Sequence, residues 1–242
     1  MKGLIYLLLS RDERMKLRNT KEFKNSNAPW NYLHLNSRNS VGSLMQLIKT
    51  SNCENFEEWE SYYLNSGAIR KELLQKKYLN KLELKEINMS YGRTEEDLIN
   101  IAYKLQKSVK LPIDTLYNFV YIRVIDETWI GYNREQLFFE KVKEILKDKP
   151  EFSIKKTNSD IDTNYAVDFE IYKNKKLIIG IQLKSTRYSF CESNIMKETK
   201  NFNSRKNNNY TKLYKVPVKY FYIDVNTNEI LNLSDIYKIF NM

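Results

Sequence analysis

Apolar residues recur at helical spacing through the first half of the chain. Over residues 41–110 they return every three or four positions, the period of a helix with one buried face. Gly67 interrupts this pattern, and Thr94 followed by three acidic residues predicts the start of another helix. Residues 113–125 continue the helical spacing. We therefore expect a mainly helical region over residues 1–125.

From residue 151 onward the apolar residues follow the two-residue period of β-strands. Strands are predicted at residues 152–157, 165–172, 177–184, 216–225 and 229–233. Residues 195–210 return to helical spacing, and Ser234 is expected to cap a last helix that runs through Phe240. Strands interspersed with helices predict an α/β core over residues 126–242, with a mixed central sheet flanked by helices.

The helix predicted over residues 134–147 carries an acid on its apolar side. Its apolar stripe includes Phe138 and Phe139, and Glu135 lies one turn earlier on the same side. A carboxylate on the core side of a helix needs a polar partner. Glu135 therefore either caps backbone amides or points into an active-site cleft.

The charge balance adds a polyanion to the picture. The formal net charge is +10, and a positive field of this size favours nucleic acid as the partner, although a lysine-rich surface also serves solubility. Between residues 196 and 222, seven Lys or Arg residues oppose one acid, with aromatic residues between them. Such a stretch is either a solvated surface or a row of phosphate contacts.

Few residues are available for other kinds of chemistry. Cys53 and Cys191 are far apart in sequence, and a single histidine, His34, argues against a zinc site or a histidine-based triad. The apolar run at residues 4–9 is short and is followed by charges, so we predict neither a signal peptide nor a membrane span. A cytoplasmic protein with free thiols is the expectation.

Two neighbouring predicted strands each combine an apolar face with a polar face. On the first of these strands Asp168 and Glu170 share the polar face, and on the next strand Gln182 and Lys184 do. The polar residues 173–176 between them predict a hairpin turn. An antiparallel hairpin brings Asp168 near Gln182 and Lys184.

This combination suits the hydrolysis of a phosphodiester. Mg²⁺ prefers oxygen ligands, so Asp168 is the principal candidate ligand, Gln182 an auxiliary one, and the backbone carbonyl of Leu183 a third. The ammonium group of Lys184 could stabilise charge on the phosphate or help to activate water. The alternative is an ordinary amphipathic hairpin with a solvated face.

The same residues resemble a known superfamily. Asp168 and the Gln182-Leu183-Lys184 run are similar to the PD-(D/E)xK nucleases, in the form in which Gln replaces the second acid. Residues 55–63 (NFEEWESYY) and 124–132 (VIDETWIGY) resemble the MjaI family of type II restriction endonucleases. The resemblance covers most of the chain.

The resemblance implies a Mg²⁺-dependent type II restriction endonuclease. Such an enzyme would act as a homodimer on a short palindromic site in double-stranded DNA, beside a cognate DNA methyltransferase. Residues 1–125 would then serve DNA recognition or dimerisation. Because an amide binds Mg²⁺ weakly, another carboxylate should assist. Glu135 matches the superfamily's helical acid and is the first choice, and Glu170 is the second.

Other polar residues have weaker claims. Asp160 and Asp162 are expected to be loop or capping acids. Arg38, Asn39 and Arg93 could read base edges, but solvated loops explain them equally well.

Two other functions are compatible with these residues. A junction-resolving, repair or modification-dependent nuclease would use the same site on a different substrate. A non-catalytic nucleic-acid-binding protein would use Asp168 and Lys184 as an ion pair.

Overall fold

The computed structural model describes residues 7–76, 78–190 and 194–240, so Cys191 lies outside the described residues. The chain forms two compact units, residues 1–132 and 133–242. The division falls inside helix α9 (Glu127–Leu146), whereas the sequence pattern divides the chain between residues 125 and 126.

The first unit is helical over its described residues. Its helices are α1 (Arg11–Leu17), α2 (Lys21–Tyr32), α3 (Arg38–Val41), α4 (Leu44–Ser51), α5 (Phe56–Leu74), α6 (Lys81–Ser90), α7 (Glu95–Gln106) and α8 (Ile113–Tyr121). A π-helical turn, Ile122–Asp126, leads from α8 into α9. The predicted start of α7 is confirmed, because the Thr94 side chain accepts a hydrogen bond from the Asp97 N–H at 3.3 Å.

Gly67 does not interrupt α5, contrary to the sequence-based prediction. The helix passes through it, and a Cβ at this position would lie 2.2 Å from the backbone carbonyl carbon of Arg93. The glycine therefore permits two backbones to approach closely. Trp59 and Tyr63 on the same helix are fully buried in the helical core.

A buried ion pair anchors the π-helical turn. The Asp126 carboxylate accepts hydrogen bonds from Arg14 Nε at 2.7 Å and from Arg14 Nη2 at 3.0 Å. Asp126 is fully buried and Arg14 almost so. Removing either partner would leave the other charge buried without compensation. The Arg14–Asp126 pair therefore has a structural role within the first unit.

The second unit contains a mixed sheet, as the sequence predicted. Over its described residues the strands are β1 (Phe152–Lys156), β2 (Phe169–Lys173), β3 (Lys176–Ser185) and β4 (Val218–Ile223), in the order β1-β2-β3-β4. The first two pairings are antiparallel, and β3 with β4 is parallel. The helices besides α9 are α10 (Ser159–Tyr165), α11 (Thr186–Phe190), α12 (Asn194–Tyr214) and α13 (Asp235–Ile239).

Helices pack on the two faces of this sheet. Phe138 and Val142 of α9 form one core with the apolar residues of the sheet, among them Phe169, Ile181 and Phe221. On the other face Tyr210 of α12 lies so close to β3 that a Cβ at Gly180 would be 2.9 Å from its ring. The polar side chains of β2 and β3 therefore face α12.

Two strand predictions are wrong, and one predicted helix cap holds in position only. The strand predicted from residue 165 begins only at Phe169, because Asn158 caps α10 by accepting the Ile161 N–H at 2.9 Å, and α10 continues to Tyr165. The strand predicted at residues 229–233 is reduced to one bridge between Ile230 and Ile223. The predicted Ser234 cap stands before α13 but makes no side-chain hydrogen bond to it.

Among the described helices, none is long and apolar enough to cross a membrane.

Candidate active site

Asp168 immediately precedes β2 and forms hydrogen bonds with the two residues of β3 that flank Gln182. Its backbone N–H donates to the Ile181 carbonyl at 2.8 Å. Its carboxylate oxygen Oδ2 accepts the Leu183 N–H at 2.7 Å. Since these two partners flank Gln182 in β3, Asp168 stands opposite Gln182 in the antiparallel pair. Residues opposite each other share a face of the sheet.

The pKa of the Asp168 carboxyl is shifted by burial and by three charged side chains. Burial raises the pKa of its carboxyl well above the ordinary range, and the negative charge of Glu135 raises it further. The positive charge of Lys184 lowers the same pKa, and Asp162 raises it. A bound cation would relieve the repulsion between the acids.

Gln182 is buried beneath α12. Its side chain is 1 % exposed, and its amide forms a hydrogen bond of 3.0 Å with the amide of Asn207. Asn207 also lies 2.6 Å from the Tyr220 hydroxyl. Nothing in the sequence singles out Asn207 among its asparagine neighbours, because its position over Gln182 depends on how α12 packs on the sheet.

Lys184 follows two residues after Gln182 and so shares its face of β3. Its ammonium nitrogen lies 5.4 Å from the centre of the Tyr188 ring on α11, within the range of a cation–π contact. Lys200 of α12 approaches the same ring at 5.8 Å. The site thus has a positively charged side lined by an aromatic ring.

Glu170 is engaged elsewhere. Its Oε1 accepts the Tyr210 hydroxyl at 2.5 Å, and its Oε2 accepts the Tyr172 hydroxyl at 2.7 Å. The residue is 6 % exposed. With both oxygens occupied, Glu170 ties β2 to α12. The other acid that the sequence offered, Glu135, raises the pKa of Asp168 through its negative charge.

The oxygen donors near Asp168 suit a hard divalent cation. Within the described residues no group of three or more His, Cys, Asp or Glu side chains is placed to hold a metal ion. The candidate set combines the carboxylates of Asp168 and Glu135 with the Gln182 amide oxygen and the Leu183 carbonyl. Mixed sets of this kind, completed by water, are typical of Mg²⁺ sites.

The arginine considered for reading DNA bases has a different role. Arg93 is 2 % exposed, and its guanidinium donates to the backbone carbonyls of Ser40, Tyr91, Gly92, Asn39 and Asn88. Burial lowers its pKa to about 10. It therefore joins segments of the first unit, and it is neither a solvated loop residue nor available to a base.

The sequence model of the MjaI restriction endonuclease family matches residues 27–231, most of the chain. The chain belongs to this family. Membership of the MjaI family implies an endonuclease that acts on DNA in a restriction system, and it confirms the resemblance carried by the short motifs. Searches of curated proteins and of solved structures each found no significant match.

Proposed function

We propose that this MjaI-family chain is a Mg²⁺-dependent type II restriction endonuclease that cuts a short palindromic site in double-stranded DNA. The observation that carries the proposal is the position of Asp168 opposite Gln182, with Glu135 and Lys184 acting on the same carboxyl. In this proposal Asp168 of the β2 side and Gln182 and Lys184 of β3 form one site with Glu135, whose negative charge raises the Asp168 pKa. Family membership supplies the substrate class.

The proposed roles follow from the chemistry of each group. Asp168, Glu135, Gln182 and the Leu183 carbonyl would hold Mg²⁺, which when bound supplies positive charge against the phosphate and acidifies water. Lys184 would stabilise the charge that develops on the phosphate and orient the attacking water. The raised pKa of Asp168 means that a cation must replace a proton there, so binding should weaken as the pH falls.

The proposed enzyme would act with a second copy of the chain, with DNA and with a methyltransferase. A homodimer would place one site on each DNA strand of a palindrome, since a two-fold axis in the protein matches one in the DNA. The first unit would serve recognition or dimerisation, and a cognate methyltransferase would protect the host sites in the cytoplasm. The basic stretch of α12, exposed at Lys197 and Arg205, would contact phosphates.

The test is digestion of unmethylated plasmid DNA with the purified protein. With Mg²⁺ we expect discrete fragments, and with EDTA none. Cleavage restricted to junctions or to methylated DNA would replace the proposal with a structure-selective or modification-dependent nuclease. A mobility shift without any cleavage would identify a non-catalytic DNA-binding protein.

A further inference from the structure

Helix α12 covers the polar side of β3 at close range. Tyr210 packs on Gly180 and donates to Glu170, so the helix is fixed both by contact and by a hydrogen bond. Asn207 lies one turn before Tyr210 and is 6 % exposed. Its amide is therefore held over Gln182 in a setting where each end must find a partner.

The surroundings of Asn207 decide which end of its amide is the nitrogen. One end lies 2.8 Å from the Tyr165 carbonyl oxygen and 3.2 Å from the Ala166 carbonyl oxygen. Carbonyl oxygens only accept hydrogen bonds, so this end is the NH₂ group. The other end is then the oxygen Oδ1, which accepts the Tyr220 hydroxyl at 2.6 Å and faces the Gln182 amide at 3.0 Å.

This orientation of Asn207 determines that of Gln182. An acceptor oxygen at 3.0 Å requires a donor, so the Gln182 atom that faces Asn207 is its NH₂ group. The carbonyl oxygen of Gln182 is consequently at the other end of the amide. Within the described residues, Gln182 makes no hydrogen bond at that end.

We propose that Asn207 is a positioning residue, which holds the NH₂ group of Gln182 and thereby leaves its carbonyl oxygen free to bind a divalent cation with Asp168. The proposal rests on the proposed function and assigns a task that the catalytic motif itself does not contain. In the opposite orientation the Gln182 oxygen would be bound to Asn207 and lost to the metal.

The test measures Mn²⁺ binding without DNA, by electron paramagnetic resonance titration of the folded protein. Asn207→Leu should weaken Mn²⁺ binding by about tenfold, the usual size of the effect for an outer residue of a metal site. Gln182→Leu removes the ligand oxygen itself and should weaken binding by at least as much. In the Gln182→Leu background, Asn207→Leu should have no further effect, because the two residues act through one oxygen. Asn209→Ala, at an exposed position of the same helix, is the matched control.

Equal losses from Asn207→Leu in both backgrounds, or no loss in either, would overturn the proposal. A measurement on the unaltered protein covers the case in which Asn207→Leu does not fold. In ¹⁵N-labelled protein the Gln182 NH₂ protons should show nuclear Overhauser contacts with the Asn207 β protons, and their absence would refute the orientation. Plasmid cleavage by the wild-type protein is measured separately. A failure of the proposed nuclease function can therefore be distinguished from a failure of the positioning role of Asn207.

Discussion

Asparagine at position 168 would keep the shape of the side chain and an acceptor for the Leu183 N–H, while removing the negative charge. In the metal-free protein that charge is unfavourable, because burial and the neighbouring Glu135 raise the Asp168 pKa from 3.8 to about 7. We expect Asp168→Asn to abolish cation binding and cleavage, and at the same time to stabilise the fold at pH 8.

The size and sign of this gain follow from linkage. When folding raises the pKa of a carboxyl, that carboxyl does not destabilise the fold at a pH below its unfolded pKa. At a pH above its folded pKa it destabilises the fold by the full amount. The gap between 3.8 and about 7 sets an upper limit of about 4 kcal/mol at pH 8. Because Asp168 is partly exposed and water screens it, a gain of about 1–2 kcal/mol is expected.

The assay is urea denaturation in EDTA, with wild type and variant compared at pH 5 and pH 8. The stability difference should be large at pH 8 and should shrink toward pH 5, where Asp168 is protonated in the wild type. Asp160→Asn, on the exposed side of α10, is the control and should show no such dependence. A variant that is less stable than wild type at pH 8, or that still binds Mn²⁺, would refute this reasoning.

Lys184→Ala should lower the cleavage rate by at least about 100-fold while duplex binding in a mobility-shift assay persists; near-normal cleavage would remove Lys184 from the site. Glu170→Leu should lower the free energy of unfolding by about 2–4 kcal/mol, because two tyrosine hydroxyls lose their acceptor. The Mn²⁺ affinity should not change. A folded variant that has lost this affinity would show that Glu170 is a ligand. Glu135→Gln should lower the Asp168 pKa, because it removes a negative charge that raises it. The pKa is measured by ¹³C NMR of the metal-free protein. An unchanged pKa would show that Glu135 has no influence on Asp168.

Local sequence signals predicted much of the fold and the shared face of the proposed site residues on β3. The period of apolar residues identified the helical first half and the strands β2, β3 and β4, because one buried face imposes its spacing on each element. The alternation along β3 set Gln182 and Lys184 on one face. The sequence pattern did not reveal that Gly67 lies within a helix, because the close contact that requires a glycine there is with a backbone distant in sequence.

Asp168, Gln182 and Lys184 could be selected from the sequence because strand alternation is a local property, carried by residues two apart. The surroundings of that motif were decided by tertiary packing. Glu170 is held by a tyrosine on α12, and Asn207 reaches Gln182, only because α12 returns across the sheet some twenty-five or more residues later. Hydrogen-bond partners that are distant along the chain leave no periodic pattern, so the packed structure alone identifies them.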